Sequence, residues 1–451
     1  IEKTTRLKKG LMQKLLTKGI GHTKFKNVTL VPRYLKIQIP NMWNLSNVDS
    51  LTINHNSGIF KNKEFYGTGD NIVGVSDLYQ HTKIDGQIFK LVRLTDEEKK
   101  NKILEEGDLI YGESSLVRTG IGKTLIVTKN GEGTIFAWHT RRIKIKKEFS
   151  PNFIYYMLDS QLIRNSIVNR ATTTALTGIT TKDFFGTRIP FPPLPEQQKI
   201  ASILSNVDNL IQNTDKLIEK TTQLKKGLMQ ELLTRGIGHT KFKKVPWYFG
   251  KEIEIPEEWE VKKINELAKI NSEQININFK YNEIEYVDIS SIEKFQITKL
   301  DKYLTSERPS RAQRIIKNKD IIISTVRPYL KSFSLINFDK PNLICSTGFT
   351  VVQSKINSDI NFLFNYFKSY FFELNYLRKM EGMAYPAITS SVISNSLIPT
   401  PNDEKEREKI ASILSNTDEK IHSYERYRQK LQNLKTSLMQ KLLTGEVRVA
   451  V

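Results

Sequence analysis

Two stretches of the chain carry long apolar repeats with alternating spacings of three and four residues. The first spans residues 196–236 and places apolar side chains at Ile200, Leu204, Val207, Ile211, Ile218, Leu224, Leu228 and Leu232, with Thr214 and Thr221 at the remaining steps. The second spans residues 406–446 and uses Ile410, Leu414, Ile421, Leu431, Leu434, Leu438 and Leu442, with Thr417 and Tyr424 at two further steps. Charged residues occupy the other faces. This spacing predicts two long helices whose apolar seams pack together.

The two stretches are copies of one sequence. Residues 210 positions apart are identical at 20 of 41 positions, including the shared segments IASILSN and LMQ-LLT, which indicates a tandem duplication. A partial third copy opens the chain, because residues 2–26 match residues 219–243 at all but three of 25 positions. We expect residues 1–26 to form a short amphipathic helix that packs on the main pair. Glycines at residues 236 and 238 predict the end of the central helix.

A globular block precedes each long helix. The predicted segments are a block at 27–195, the central repeat helix at 196–243, a second block at 244–405 and the distal repeat helix at 406–451. Both blocks open on Ile-Pro-x-x-Trp, at residues 39–43 and 255–259. β-Branched residues between turn formers predict strands at 72–75, 108–111, 125–128, 286–289 and 320–323, and helical patterns follow at 151–169 and 361–379. This mixture predicts an α+β fold for each block.

Charge narrows the range of partners. The 451 residues include 69 Lys and Arg against 48 Asp and Glu, a net charge of +21. This excess favours a polyanion. We find no run of eighteen apolar residues and no hydrophobic leader, so nucleic acid in the cytoplasm is the favoured partner and a membrane is not. The single cysteine, Cys345, excludes an internal disulfide and a thiolate zinc cluster, and the six scattered histidines predict no metal site.

Two motifs suggest catalysis, but each lacks a residue that its catalytic form requires. Residues 120–124, GIGKT, resemble part of a phosphate-binding P-loop, but Val117 stands where a glycine is needed and a predicted strand follows in place of a helix. Residues 191–194, FPPL, resemble an adenine methyltransferase motif, but Phe191 cannot hydrogen-bond an exocyclic amine. We interpret the first motif as a basic turn between strands and the second as a rigid entry to the central helix. No catalytic residue is predicted.

Taken together, these motifs resemble those of a known family. The entry segment IPFPPLPEQQKI at 189–200, the repeated helix with its LMQ-LLT ending, the Ile-Pro-x-x-Trp openings and the Asp-Leu-Ile strand before residues 120–124 look like the specificity subunit of Type I restriction-modification systems. The resemblance covers nearly the whole chain. Block two departs from it at 398–404, where the sequence is IPTPNDE.

The resemblance implies a fold and a function. It implies two globular α/β target-recognition domains separated by two long antiparallel helices that form an intramolecular coiled coil. It further implies a non-catalytic, sequence-specific DNA-binding subunit that recognises a bipartite target in double-stranded DNA. Two methylation subunits would dock on the helices and carry S-adenosylmethionine, and restriction subunits would use ATP and Mg²⁺. The chain itself would hold no cofactor. Whether the isolated chain self-associates through its helices stays open.

Helix length suggests a spacing between the two halves of the target. A helix of about 36 residues is about 54 Å long, and this length corresponds to at most about 16 base pairs of B-DNA. The helices match at about half of their positions, whereas the blocks share mainly scaffold signals. We therefore expect the two half-sites to differ in sequence.

Candidate DNA contacts are cations, hydroxyls and aromatics in the loops of the blocks. In block one they are Arg118, Lys123, Arg141, Arg142, Thr173 within residues 172–174, and Lys182. In block two they are Arg327, Tyr329, Lys331, Tyr385 and Thr389.

Two other classes of function stay open from the sequence. A stand-alone DNA methyltransferase or nuclease would need a carboxylate cluster or a cofactor loop that we do not find. A basic coiled-coil adaptor for RNA or a membrane would bind duplex DNA weakly and without sequence preference.

Overall fold

The structure is a computed structural model that describes residues 24–31, 35–173, 177–293, 295–377, 379–380 and 386–449. The chain divides into two compact units: unit 1 comprises Ile1–Thr214 and Tyr427–Val451, and unit 2 comprises Asp215–Arg426. The helix predicted within residues 1–26 lies outside the described residues, apart from 24–26. Of these three, Phe25 and Lys26 begin a strand, Phe25–Val31.

Two helices of 39 residues each form the repeat, Leu194–Leu232 and Glu404–Leu442, here called the central and distal helices. Pro195 lies in the first turn of the central helix, where a missing N–H costs no hydrogen bond. The central helix is followed by Gly236 and Gly238, with φ of +68° and +78°, as the predicted helix end requires.

The two helices run antiparallel within each unit. In unit 1, Ile200 and Leu204 share a hydrophobic core with Leu442 and Leu443. In unit 2, Ile410 and Leu414 share a core with Met229, Leu232 and Leu233. The start of one helix therefore packs on the end of the other in both units, and the predicted α+β fold with a long antiparallel helix pair is confirmed.

One ion pair recurs at equivalent repeat positions. In unit 1, the Lys435 ammonium lies 2.8 Å from the Asp208 carboxylate. In unit 2 the equivalent lysine, Lys225, lies on the central helix and pairs with the equivalent aspartate, Asp418, on the distal helix. A second lysine, Lys368, reaches the other oxygen of Asp418 at 2.7 Å. These side chains are mostly buried, so each carboxylate and its partners require one another.

Most predicted seam residues face the helix partner. Eight of the apolar ones are buried: Ile200, Leu204, Val207, Leu232, Ile410, Leu414, Leu431 and Leu442. Six are half-buried: Ile211, Ile218, Leu228, Ile421, Leu434 and Leu438. The assignment of Leu224 to the seam is wrong, because its side chain is 58% exposed. The adjacent Lys225 faces inward in its place and reaches Asp418.

Unit 1 is built on two main sheets, with three small sheets beside them. Its strands are Phe25–Val31, Leu35–Pro40, Asn44–Asn47, Thr52–Ser57, Tyr66–Val73, Lys83–Ile84, Lys90–Val92, Leu109–Gly112, Ser114–Ser115, Thr124–Val127, Ile135–Phe136, Thr140–Ile145, Thr172–Thr173, Thr177–Gly178 and Arg188–Phe191. Its shorter helices are Val48–Leu51, Val75–Gln80, Asp96–Lys99, Pro151–Asp159, Gln161–Arg170 and Thr181–Phe185. The larger sheet has the order 52–57, 140–145, 109–112, 124–127, 83–84, and the smaller sheet has the order 135–136, 66–73, 90–92.

Unit 2 repeats this plan with two four-stranded sheets. Its strands are Phe242–Pro246, Glu252–Pro256, Glu260–Lys263, Ala268–Ile270, Glu283–Val287, Ile292–Glu293, Gln296–Ile297, Asp301–Leu304, Ala312–Ile315, Ile321–Ser324, Phe333–Leu335, Leu343–Ser346, Phe349–Ser354 and Leu397–Thr400. Its shorter helices are Ile264–Leu267, Ile360–Phe367, Tyr370–Leu377 and Ser390–Ser394. The sheet orders are 268–270, 349–354, 321–324, 333–335 and 301–304, 283–287, 343–346, 312–315.

Each long helical stretch predicted near the end of a block is two helices. In unit 1 the break is at Ser160, whose hydroxyl accepts a hydrogen bond from the Ile163 N–H at 3.4 Å. In unit 2 the break is at Ser369, whose hydroxyl accepts from the Phe372 N–H at 3.4 Å. A serine hydroxyl that satisfies a helix N-terminus starts a new helix, and this local chemistry outweighs the continuous apolar pattern.

The core of unit 1 takes in the end of the distal helix and the residues after it. Val447 and Val449 are buried in the same cluster as Trp43 and Ile39. Gly445 has a φ of +71°, and a Cβ on it would lie 2.5 Å from the ring of Pro40. Only glycine fits this contact.

The equivalent region of unit 2 is centred on one carboxylate. Glu406 accepts hydrogen bonds from the indole N–H of Trp259 at 3.2 Å and from the backbone N–H of Ile237 at 3.0 Å. The His239 Nε2 lies 2.8 Å from the same carboxylate. The start of the distal helix is thereby fixed to the segment that leaves the central helix.

Removal of the Asp208 carboxylate tests the ion pair. Asp208→Ala should lower the free energy of unfolding by about 2 kcal/mol, because Lys435 and the Tyr156 hydroxyl, 2.8 Å from Asp208, both lose their acceptor. Urea denaturation measures the change. Lys430→Ala, which truncates an exposed lysine of the distal helix, is the control, and equal midpoints for the two variants would contradict the role of the pair.

Candidate nucleic-acid interface

A loop of unit 1, residues 116–123 and here called loop A, joins the strands Ser114–Ser115 and Thr124–Val127. Ser115 pairs with Thr177, and Thr177 pairs with Thr173, in a small antiparallel sheet. The structure thus brings the predicted loop beside the predicted threonine segment. At the tip of loop A, the side chains of Leu116 and Val117 are 89% and 57% exposed, and Arg118 is also exposed.

The glycines of loop A serve its turn. Gly122 has a φ of +64°, and a Cβ on it would lie 2.6 Å from Ile167. The Lys123 ammonium lies 2.6 Å from the Asp159 carboxylate and is partly buried. A strand, Thr124–Val127, follows directly, so no helix N-terminus is present to bind phosphate. The interpretation of residues 120–124 as a turn between strands is confirmed.

Arg141 and Arg142 are neighbours with different environments. The Arg141 Nε donates to the Glu113 carboxylate at 2.5 Å, and its Nη1 lies 3.1 Å from His55 Nδ1. Burial and the adjacent Arg141 guanidinium lower the pKa of His55, so its neutral ring can accept that hydrogen bond. Arg141 is thereby held in place near the start of the strand Thr140–Ile145, next to loop A.

Arg142 is part of the interior. It is 5% exposed, and its Nη1 donates to the Ile103 carbonyl at 3.0 Å. Its guanidinium lies 3.9 Å from the carboxylate of Asp108, whose pKa is raised by burial. This environment gives Arg142 a structural role and removes it from the surface that DNA could contact. Lys182, by contrast, is exposed on the helix Thr181–Phe185.

An exposed aromatic group next to Arg141 was not predicted from the sequence. Phe60 and Trp138 are 62% and 50% exposed and pack edge to face with ring centroids 5.2 Å apart. The Trp138 ring also stacks on His139 at 4.2 Å. No local sequence pattern links these two aromatics, which lie 78 positions apart in the chain.

Unit 2 carries a corresponding loop at residues 326–331, here called loop B. Arg327 and Lys331 have φ of +47° and +53°, a left-handed conformation that is uncommon outside glycine. Tyr329 and Leu330 between them are 44% and 57% exposed. The Lys331 ammonium lies 2.7 Å from Glu373, and the Arg327 N–H donates to the Pro386 carbonyl at 2.7 Å.

The other two predicted contacts of unit 2 have different outcomes. Thr389 is exposed and follows residues 386–388, which lie along loop B, but its hydroxyl accepts from the Val392 N–H at 3.3 Å and caps the helix Ser390–Ser394. Tyr385 lies outside the described residues. A hollow of about 670 Å³ opens beside loop B, and Tyr286, Asp288, Arg311, Arg327 and Ser332 are among the residues that line it.

The two units use one backbone arrangement with different side chains. In unit 1, the Glu113 N–H donates to the His139 carbonyl at 2.8 Å and the Trp138 N–H to Ile59 at 2.7 Å. In unit 2, the Thr325 N–H donates to the Gly348 carbonyl and the Thr347 N–H donates to the Arg311 carbonyl, each at 2.8 Å. Thus Trp138 of unit 1 corresponds to Thr347 of unit 2.

The described residues also bear on metal binding and on membrane insertion. No group of three or more His, Cys, Asp or Glu side chains there could hold a metal ion. In the same part of the chain, the helices are all too short or too polar to cross a membrane.

These features define a protein of two duplicated α+β units with a long helix pair and diverged, basic surface loops. A family model for the Type I restriction modification DNA specificity domain matches residues 40–223 and 256–433, which is most of the chain. The chain belongs to this family, as the sequence motifs predicted, and its part in a Type I restriction-modification complex is that of the non-catalytic specificity subunit.

Individual relatives support the same family assignment. The chain is 29% identical over 383 residues to the Type I restriction enzyme MjaVIII specificity subunit of Methanocaldococcus jannaschii, covering 81% of this chain and 84% of the relative. It is 32% identical over 269 residues to the putative MjaX specificity subunit of the same organism, covering 58% and 60%. The crystal structure of a Type I S subunit from M. genitalium superposes with a TM-score of 0.58 at 15% identity, covering 92% and 98%, which shows a shared fold.

Arg118 and Arg142 provide a contrasting pair of variants. Arg142→Ala should lower the free energy of unfolding by about 3 kcal/mol, because it leaves the Asp108 carboxylate buried without its cation. Arg118→Ala should leave stability unchanged and weaken duplex binding by the assembled complex about tenfold. Urea denaturation and fluorescence anisotropy measure the two effects. Equal loss of stability in both variants would contradict the assignment.

Proposed function

We propose that the two units read the two halves of a bipartite DNA target, unit 1 through loop A and its neighbours and unit 2 through loop B and its hollow. The observation that carries this proposal is the repeated backbone arrangement with different side chains, Trp138 and His139 in one unit and Thr347 and Gly348 in the other. A duplicated scaffold with diverged loops can bind DNA twice and read different bases each time.

Positive charge supports a DNA partner. The net charge of +21 favours binding to phosphates, which supplies affinity without sequence preference. Sequence preference must then come from the loops with Arg118 and Arg327 and from the start of the strand with Arg141, where hydroxyl and aromatic groups lie nearby. Arg141 is held by Glu113 and His55 before DNA binds, so less side-chain entropy is lost when a contact forms.

We further propose that the helices bind two methylation subunits. Leu210, Leu217 and Leu224 recur every seven residues on the central helix, outside the seam, and are 45%, 45% and 58% exposed. A heptad row of exposed leucines is suited to bind a helix of another protein. In this proposal the partners carry S-adenosylmethionine, and restriction subunits carry ATP and Mg²⁺, so that this chain supplies recognition alone.

Sequence selection tests the bipartite target. Selection from random duplexes with the assembled methyltransferase should recover two different half-sites separated by a gap of fixed length, because equivalent positions of the units present different side chains. Sequencing of the selected pool measures the outcome. A perfect palindrome would contradict different readout by the two units, and a pool without sequence preference would favour a non-specific adaptor.

A double substitution tests the helix surface. Leu217→Ser with Leu224→Ser should weaken binding of the methylation subunits at least about tenfold, because both side chains are exposed and available to a partner. Lys226→Ser, which changes an exposed residue on the opposite face of the same helix, is the control. Analytical ultracentrifugation measures the complexes. If the double variant assembles like the control, the partners bind elsewhere.

A further inference from the structure

The exposed aromatic pair of unit 1 carries an inference that rests on the proposed function and extends it. We propose that Trp138 and Phe60 stack against a base of the half-site that unit 1 reads. The two residues are 50% and 62% exposed, and their edge-to-face packing, with an interplanar angle of 85°, leaves part of each side chain open to a further ring. Stacking on aromatic side chains is a common way to bind an unstacked base.

The pair is held rigidly by backbone contacts. The Trp138 N–H donates to the Ile59 carbonyl at 2.7 Å, and the Ile59 N–H donates to the Phe136 carbonyl at 2.9 Å. Gly58 makes this approach possible, because a Cβ on it would lie 1.9 Å from the Ala137 carbonyl oxygen. The two rings are therefore positioned before a ligand arrives, which reduces the entropy lost on binding.

His139 supports the Trp138 ring from one side. The two ring centroids lie 4.2 Å apart with an interplanar angle of 25°. His139 adopts a φ of +64°, which is disfavoured for residues with a Cβ and concentrates at functional sites.

The pair lies directly beside the residues expected to contact DNA. The His139 carbonyl accepts a hydrogen bond from the Glu113 N–H at 2.8 Å, and the Glu113 carboxylate holds Arg141. Residues 114–115 lead from Glu113 to loop A. An exposed lysine, Lys63, follows Phe60 by three positions. A ligand that contacts loop A and Arg141 therefore approaches the aromatic pair, and the nearby cations favour a polyanion.

The absence of the pair from its equivalent place in unit 2 favours DNA over a protein partner. There Thr347 takes the place of Trp138, and Ala312, the residue after Arg311, takes the place of Phe60. A methylation subunit that binds both repeats needs the same surface twice, whereas two half-sites of different sequence need different surfaces. Within a duplex, a side chain reaches the face of a base by opening a base step, as apolar wedges of DNA-bending proteins do.

Abasic substitutions in the DNA test the stacking contact. The complex assembled with methylation subunits is titrated with duplexes that lack one base at each position of the first half-site in turn. At one position, base removal should weaken binding by the unaltered complex about tenfold. Trp138→Thr, which installs the residue found in unit 2, should weaken binding of the intact duplex to a similar extent and should make binding insensitive to removal of that base.

Two further variants distinguish a stacking contact from a general loss of DNA binding. Trp138→Phe keeps an aromatic face and should retain most of the sensitivity to base removal, whereas Met42→Thr, at a position 62% exposed in the same unit, should bind like the unaltered complex. If the effects of Trp138→Thr and base removal are independent at every position, the stacking contact is overturned. If the unaltered complex shows no preference for the selected half-site, the proposed function itself fails.

Discussion

The reciprocal ion pairs between Asp and Lys at the helix pair are the interaction on which the rest of the structure depends. Burial alone would raise the pKa of Asp418, but the ammonium groups of Lys368 and Lys225 outweigh it and hold this pKa below its usual range. Burial in turn lowers the pKa of Lys368. A half-buried charge that moves away from its partner costs several kcal/mol. The pairs Asp208 with Lys435 and Asp418 with Lys225 fit one antiparallel register, so a shifted register would separate both.

Duplication and divergence act on different parts of each unit. The parts that hold the helices together recur: Trp43 and Trp259 are both buried, and the glycines Gly445 and Gly236 both adopt positive φ. The loops differ, since loop A uses glycines for its turn and loop B uses arginine and lysine in left-handed conformations. A frame held by its own buried contacts tolerates changes in its exposed loops, because those side chains contribute little to stability.

Much of the fold was predictable from local pattern, and the fine structure of the interface was not. The helix seam followed from spacing, but the inward position of Lys225 depends on Asp418, 193 residues further along the chain. The strands followed from β-branched residues. Alternation along the strand Thr140–Ile145 would place Arg141 on the same face as the buried Ile143 and leave Arg142 outside, yet Arg142 is buried because both faces of this sheet are covered. Phe60 and Trp138 meet only through pairing of distant strands.

The discontinuity of unit 1 has a consequence for the order in which the chain acquires its structure. Unit 2 is one uninterrupted segment, residues 215–426, and it contains all the residues of its own core. The core of unit 1 includes Leu442, Val447 and Val449, which a ribosome synthesises more than 200 residues after the central helix begins. During synthesis from the N-terminus, unit 2 can therefore complete its packing first, while unit 1 keeps an open hydrophobic groove along residues 194–214 until the distal helix is released. Unit 1, which comes first in the sequence, is therefore the last to complete its hydrophobic core.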